Sequence, residues 1–340
     1  MVTAKEIAKI LGISEASVSI ALNGRQGVSD NLRRRVLETA QAIGYDFSRL
    51  NKINKRDIIF IMFIKSGAVV SDTPFFEQLI KGVAAECKNH NIRLTTIYSN
   101  TRDDLRNILN TTPRNTGIIL LATEMEEADC LPIVESTFPH LFLDAYFENI
   151  DSNYVLINNV RGAYLATDYL IRSTGKHPGY LRSSYSIPNF EERADGFYKA
   201  IRSNGKPTSR SIVHRLCPSV EGAYLDMREH LLSGEPIASC YFADNDLIAA
   251  GAMRAFKSVG KRIPEDIAIV GFDDISLCEC LDPPLSTINV PKEYMGSQAV
   301  IRLLSIMEKH DVIKTKTEIN TQLVLRQSVG VKPSHILPEH

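Results

Sequence analysis

VTAKEIAKILGISEASVSIALNGRQGVSDNLRRRVLETAQAIGY, residues 2–45, contains three helix starts in close succession. Thr3 and Glu6 have capping-box spacing: the Thr3 hydroxyl accepts from the Glu6 amide while the Glu6 carboxylate accepts from the Thr3 amide. Val2 and Ile7 flank the box as a hydrophobic staple, Ile7, Ala8 and Leu11 share an apolar face, and Gly12 supplies the stop. Ser14 is a second N-cap, with Val18, Ala21 and Leu22 as the inward stripe of a short second helix. A third helix starts near Ser29, buries Leu32, Val36, Ala40 and Ile43, and stops at Gly44. Two short helices joined by a tight turn and followed by a third make a helix-turn-helix unit.

The second helix turns Glu15, Ala16, Ser19, Ile20 and Asn23 outward. In such a motif the second helix enters the DNA major groove and its first residues meet base edges. Ser14, Ser17 and the run Arg33, Arg34, Arg35 suit phosphate contacts, which position the head without specifying sequence. Thr3, Ser29 and Tyr45 complete the DNA-binding set within the head. Residues 1–56 carry ten Lys/Arg against five Asp/Glu, a net +5, while the whole chain carries −1, leaving −6 on the remainder. A basic end on an acidic body fits a polyanion-binding head joined to a module that does not bind DNA. The competing structural reading is a three-helix bundle with a solvated charge run, used for protein contacts.

The same run resembles the DNA-binding head of the LacI/GalR family of transcriptional regulators. The family pattern V-T-x-x-D-I/V-A-x-x-A/L-G-V-S-x-x-T-V-S-x-x-L-N, continuing to G-Y, is matched at nearly every fixed position. One departure lies in the recognition helix. The family's usual Arg after V-S, a bidentate reader of guanine, is replaced by Ile20, and the other two base-reading positions fall on Glu15 and Ala16. Thymine-methyl contact, or Glu15 accepting from cytosine N4, is the chemistry left to them, which predicts an operator unlike the family's usual one. The second departure is the hinge. The family's P-N-x-x-A-R-x-L helix is replaced by DFSRLNKINKRD (46–57), with Phe47 for Pro and Asn51 and Asn54 for Ala and Leu. Either Leu50 or Ile53 wedges into the minor groove, or Arg49, Lys52, Lys55 and Arg56 follow phosphates as a basic tether.

Beyond the hinge, apolar runs alternate with helical stretches. IIFIMFI (58–64), LTTIYS (94–99), GIILLA (117–122) and HLFLDA (140–145) form one strand series; YLRSS (180–184), IVHRL (212–216), SCYFAD (239–244) and IAIVGFD (267–273) form another. This alternation predicts doubly wound α/β layers with parallel sheets, arranged as two lobes. Ligands of open α/β sheets bind at the carboxyl ends of strands, which selects Asp144, the run Asp244-Asn245-Asp246, and Asp273-Asp274. Arg193, in FEERADGF (190–197), falls at the start of a second-lobe helix. Carboxylate, amide and guanidinium groups each pair with two neighbouring oxygens, as vicinal sugar hydroxyls require. The competing role for an Asp or Asn after a strand is a helix N-cap.

This body is similar to the LacI/GalR effector domain and to periplasmic sugar-binding proteins, through PFFEQLIKGVAAEC (74–87), NNVRGAYLATDYLI (158–171), ERADGF (192–197), ADNDLIAAGAMRA (243–255), IPEDIAIVGFDD (263–274) and PPLSTINVP (283–291). The resemblance implies that Asp144, Arg193, Asn245 and Asp273 line an effector cleft, with Phe75 and Phe76 facing a ring. Leu121-Ala122 stands at a strand end where a polar Asn occurs in the family. It further implies three lobe crossings, near 145–159, 281–290 and 313–323. The expected domains are a head (1–46), a hinge (47–57) and a two-lobed effector-binding and dimerisation body (58–332).

The expected function is a repressor that binds double-stranded operator DNA as a homodimer and answers to a small sugar-like effector. Control by a partner protein is the alternative; a transporter-type sugar-binding protein would have no use for the head. No cofactor, metal set or catalytic group is read from the sequence: the six cysteines show no CxxC pair and the eight histidines no zinc-suited spacing. No apolar run reaches the roughly 18 residues of a membrane helix and the first residues do not read as a signal peptide, so the expectation is a cytoplasmic protein without membrane contact.

Overall fold

A computed structural model describes residues 2–22, 27–46, 57–71, 73–309 and 313–330. The chain divides into two compact units, residues 1–56 and 57–340. In the first, α1 (Ala4–Leu11), α2 (Glu15–Leu22) and α3 (Asp30–Ala42) enclose Ile7, Val18, Ala21, Val36 and Ala40. Both arms of the capping box form, with the Thr3 amide donating to Glu6 Oε2 at 2.8 Å. Gly12 ends α1 at φ 67°, a left-handed cap that glycine adopts without strain. The Ser14 hydroxyl accepts from the Ser17 amide at 3.1 Å, and Ser29 caps α3 by accepting from the Leu32 amide.

The second unit holds a six-stranded and a four-stranded sheet, each parallel throughout, as the alternating pattern predicts. The first contains β1 (Asp57–Phe63), β2 (Arg93–Ser99), β3 (Thr116–Leu121), β4 (His140–Leu143), β5 (Tyr154–Ile157) and β11 (Lys316–Ile319), in the order β11-β5-β4-β3-β1-β2. Its helices include α4 (Pro74–Asn89), α5 (Arg102–Thr111) and α6 (Glu127–Val134). Every residue of β3 is buried, the signature of a strand covered on both faces.

The second sheet is ordered β7-β6-β8-β9: β6 (Gly179–Ser183), β7 (Val213–Leu216), β8 (Cys240–Ala243) and β9 (Ala268–Val270). It carries α7 (Asn159–Thr174), α8 (Pro188–Ser203), α9 (Val220–Leu232) and α10 (Asp246–Ser258). After the short α11 (Leu277–Cys280), β10 (Thr287–Asn289) pairs antiparallel with β12 (Gln322–Val324). Between these two strands the chain returns to the first lobe, placing α12 (Lys292–Lys309) against α4 and β11 beside β5.

Two details differ from the sequence expectations. Asp57 belongs to β1 rather than to the hinge: its carboxylate accepts from Arg93 Nε at 3.0 Å. Neither β5 nor α12 was expected; β5 is only four residues long, and its burial is set by β4 and β11 on either side. The hinge residues 47–56 lie outside the described residues. Among the described residues, no helix is long and apolar enough to cross a membrane.

Candidate functional site

Within the head, Glu15, Ala16 and Ser19 are exposed on α2, next to Ser14. Ile20 is half-buried, its side chain passing near the Gly27 backbone, so part of its apolar surface is spent inside the head. Ser17 and Arg33 are likewise half-buried. Thr3 and Ser29 act as N-caps, and the Tyr45 amide closes α3 on the Ala40 carbonyl at 2.8 Å. Asn23, Arg49 and Leu50 lie outside the described residues.

In the body, Phe75, Phe76, Asp144, Arg193, Asn245 and Asp273 line one cleft between the lobes, about 330 Å³ including its solvent-open mouth. Phe75 and Phe76 open α4 after the Thr73 cap and meet edge to face, with ring centroids 5.0 Å apart. Asp144 follows β4, and Asp273 lies just past β9. Both adopt positive φ, 66° and 111°. That backbone costs a non-glycine residue about 1–3 kcal/mol and tends to be kept where function needs the side chain.

Arg193 organises the second-lobe wall. Its Nε donates to Asn159 Oδ1 at 2.9 Å, its Nη1 to the Asp244 carbonyl, and its Nη2 to Asp273 Oδ1 at 3.2 Å. The guanidinium plane sits 3.8 Å from the Phe272 ring centroid, so packing as well as charge holds it. Asp144 faces it from the first lobe with 2% of its surface exposed and accepts from the Thr123 hydroxyl at 2.7 Å. Burial pushes its carboxyl up to about 7, against the opposing pull of Thr123 and Arg193. At Asp273, burial raises the carboxyl and the adjacent Arg193 lowers it.

The run Asp244-Asn245-Asp246 divides its labour. Asn245, rather than Asp246, is the N-cap of α10, accepting from the Ile248 amide at 2.9 Å, and it lines the cleft as well. Asp246 is buried and accepts from the Thr287 hydroxyl at 2.5 Å and the Ile275 amide at 3.1 Å. Asp244, fully buried, accepts from the Tyr180 hydroxyl and the Ser183 amide. Burial raises Asp246 to about 7 and Asp244 to about 6.

The sequence reading missed several residues that line the cleft or support its walls. Asn189 and Phe190 line it beside Arg193; spacings of four and three along α8 were the available signal. Thr123 supplies a polar group just beyond Leu121-Ala122. Lys292, 3% exposed at the start of α12, donates to the carbonyls of Asp273, Asp274 and Val290. Glu124 carried no sequence signal. It is 3% exposed and accepts backbone N–H groups from Ser66, Gly67, Val69 and Val70 at 2.8–2.9 Å. Burial raises its carboxyl, but these four amides together hold it below the ordinary range. The loop so pinned carries Val69 to the cleft wall.

A family model described as a periplasmic binding protein-like domain matches residues 167–329. The chain is 28% identical over 339 residues to the HTH-type transcriptional repressor PurR of Mannheimia succiniciproducens, covering 97% of this chain and 99% of that protein. Its fold is similar to that of the transcriptional regulator CelR in complex with cellobiose, with a TM-score of 0.73 at 23% identity over 96% of this chain and 100% of the other. It is also similar to the lac repressor dimer bound to operator and the anti-inducer ONPF, with a TM-score of 0.71 at 21% identity over 97% and 99%.

A helix-turn-helix head followed by a two-lobed, periplasmic-binding-protein-like body defines a class of transcriptional regulators. Over nearly its whole length this chain is similar to HTH-type transcriptional repressors, in keeping with the resemblance of its sequence to the LacI/GalR family.

Proposed function

We propose that the protein is a repressor whose affinity for an operator is set by a small polar metabolite held between the lobes. The observation that carries this reading is the cleft wall itself. Asp144 from one lobe and Arg193, Asn245 and Asp273 from the other converge beside Phe75, Phe76 and Phe190. Charged and amide groups at the rim of aromatic surface suit a ring bearing hydroxyls or amide-like edges.

In this reading a homodimer presents two heads to two half-sites, in the cytoplasm, and ligand and operator are linked because each favours one arrangement of the lobes. Thr3, Ser14, Ser17, Ser29, Arg33 and Tyr45 position the head on phosphates, and Glu15, Ala16, Ser19 and Ile20 face the bases.

A thermal-shift screen of the full chain against monosaccharides, hexuronates, nucleobases and nucleosides tests it. One chemical class should raise Tm and change operator affinity in a gel-shift titration, and Arg193→Ala should abolish both responses. If no small molecule stabilises the wild-type chain, control by a partner protein replaces this proposal.

A further inference from the structure

We propose that His214, His230 and Glu235 bind one divalent late transition-metal ion of the zinc class at the outer edge of the second lobe. The three are brought together by the fold. His214 lies on β7, the edge strand of the four-stranded sheet; His230 lies in the last turn of α9; Glu235 follows in the connection to β8. One ligand-capable atom from each lies within 4.8 Å of those of the other two. None of the three lines the effector cleft.

Two independent features distinguish this cluster from a chance surface group. First, His214 is only 1% exposed, and its Nδ1 has no hydrogen-bond partner although it stands 3.7 Å from Glu235 Oε2. A buried ring nitrogen without a partner is costly, and a metal ion would satisfy it. Second, its other nitrogen is already held: Nε2 lies 3.1 Å from the Tyr241 hydroxyl, whose oxygen also accepts from the Ala238 amide at 2.7 Å. With the proton on Nε2, directed at Tyr241, the Nδ1 lone pair faces the cluster. A ligating histidine oriented through its second nitrogen is the usual outer-shell arrangement of zinc sites. Tyr241 reaches β7 from β8 by passing across Gly179 on β6, where a Cβ would stand 2.4 Å from the tyrosine ring. Glycine at that position is what lets the support reach the histidine.

The donor set fits the metal. Two imidazole nitrogens and one carboxylate oxygen leave a fourth tetrahedral position for water, and nitrogen donors favour zinc, cobalt, nickel or copper over magnesium and calcium. His230 Nδ1 and Glu235 Oε1 stand 2.9 Å apart, so an ion between them would take the place of a shared proton. Tetrahedral metal–ligand bonds of about 2.0–2.2 Å require the 2.9 Å His230–Glu235 pair to open slightly and the 3.7 Å gap to His214 to close slightly. His230 and Glu235, 25% and 48% exposed, have the freedom to close it and leave a path for the ion. Bound there, the ion would tie the α9–β8 connection to the sheet edge.

The test is equilibrium dialysis of the full chain against buffered Zn2+, with bound metal measured by elemental analysis, and Co2+ absorption as a report of tetrahedral nitrogen and oxygen ligation. Cys217 and Cys280, the two cysteines not buried, are replaced by Ser in every sample so that thiols do not contribute. The expected result is one equivalent per chain, a rise in Tm on zinc addition, and affinity lowered at least about 10-fold by His230→Ala and by Glu235→Gln. Tyr241→Phe should weaken binding by about 10-fold. His230 and Glu235 are partly exposed, so these variants keep the fold, and their Tm without metal verifies it. Zinc retained unchanged by both ligand variants, or absent from the wild-type background, overturns the proposal.

Discussion

The side-chain amide of Asn189, on a second-lobe helix, donates to the backbone carbonyl of Asp144, at a first-lobe strand end, over 2.9 Å. This bond spans the cleft within the ring of effector candidates, and both residues are buried. The bond therefore joins the two lobes through a group that itself lines the cleft.

Replacing Asn189 with Ala should loosen closure without removing a charged ligand contact. A neutral hydrogen bond contributes about 0.5–1.5 kcal/mol, so affinity for the responding metabolite should fall about 2- to 10-fold. Isothermal titration calorimetry gives the affinity, and small-angle scattering of the ligand-free chain should show a larger radius of gyration than wild type.

Asp144 makes stability fall with rising pH. Its carboxyl titrates near 7 in the folded chain and at 3.8 in its ordinary state. Between those values the native state holds a proton that the unfolded state has released, so stability is fully present below about pH 4 and is lost as pH rises through about 7. Asp244 and Asp246 act in the same direction. Asp144→Asn should therefore flatten part of the decline in Tm between pH 5 and pH 8. A variant whose Tm profile parallels wild type would show that Asp144 is not the buried acid responsible.

Glu124→Gln tests whether the pinned loop shapes the cleft. The carboxylate accepts four backbone amides, whereas a glutamine offers one acceptor oxygen and turns an NH2 toward N–H donors. The expected cost is about 1–3 kcal/mol in denaturant unfolding. Metabolite affinity should also fall, although Glu124 is not among the residues lining the cleft; unchanged affinity in the folded variant would confine its role to stability.

At the DNA head, Ile20→Arg should restore a guanine reader. Selection of binding sites from random duplexes with the full chain should then return a guanine at one position per half-site, favoured by about 1–3 kcal/mol over other bases. The wild-type chain should select a different site. Because Ile20 is partly packed near Gly27, the variant should also unfold at a slightly lower temperature.

Local rules were sufficient for the head. Capping boxes, glycine stops and a 3.6-residue apolar period are written in adjacent residues, so Thr3, Glu6, Gly12, Ser14 and Ser29 were readable without any partner. The alternating strands of the body were legible for a similar reason, since a strand buried on both faces announces itself as an apolar run. Asp144, Arg193 and Asp273 were legible as polar residues placed at strand ends or on a lobe-facing helix. Their number was not. Asn189, Phe190 and Thr123 join them only because α8 and β3 meet across the cleft, and nothing local marks Glu124 as the acceptor for a loop more than fifty residues away.

The sequence by itself therefore determined the helix-turn-helix, the two parallel layers and the polar strand ends, because each depends on neighbours within a few residues. Only the tertiary structure decided which of those ends converge, that Asn245 rather than Asp246 caps α10, and that His214 and His230, far apart in sequence spacing from any zinc motif, face one another with Glu235. The physical reason is the same in each case. A charge or an unpaired nitrogen is defined by what surrounds it, and those surroundings are assembled from remote parts of the chain.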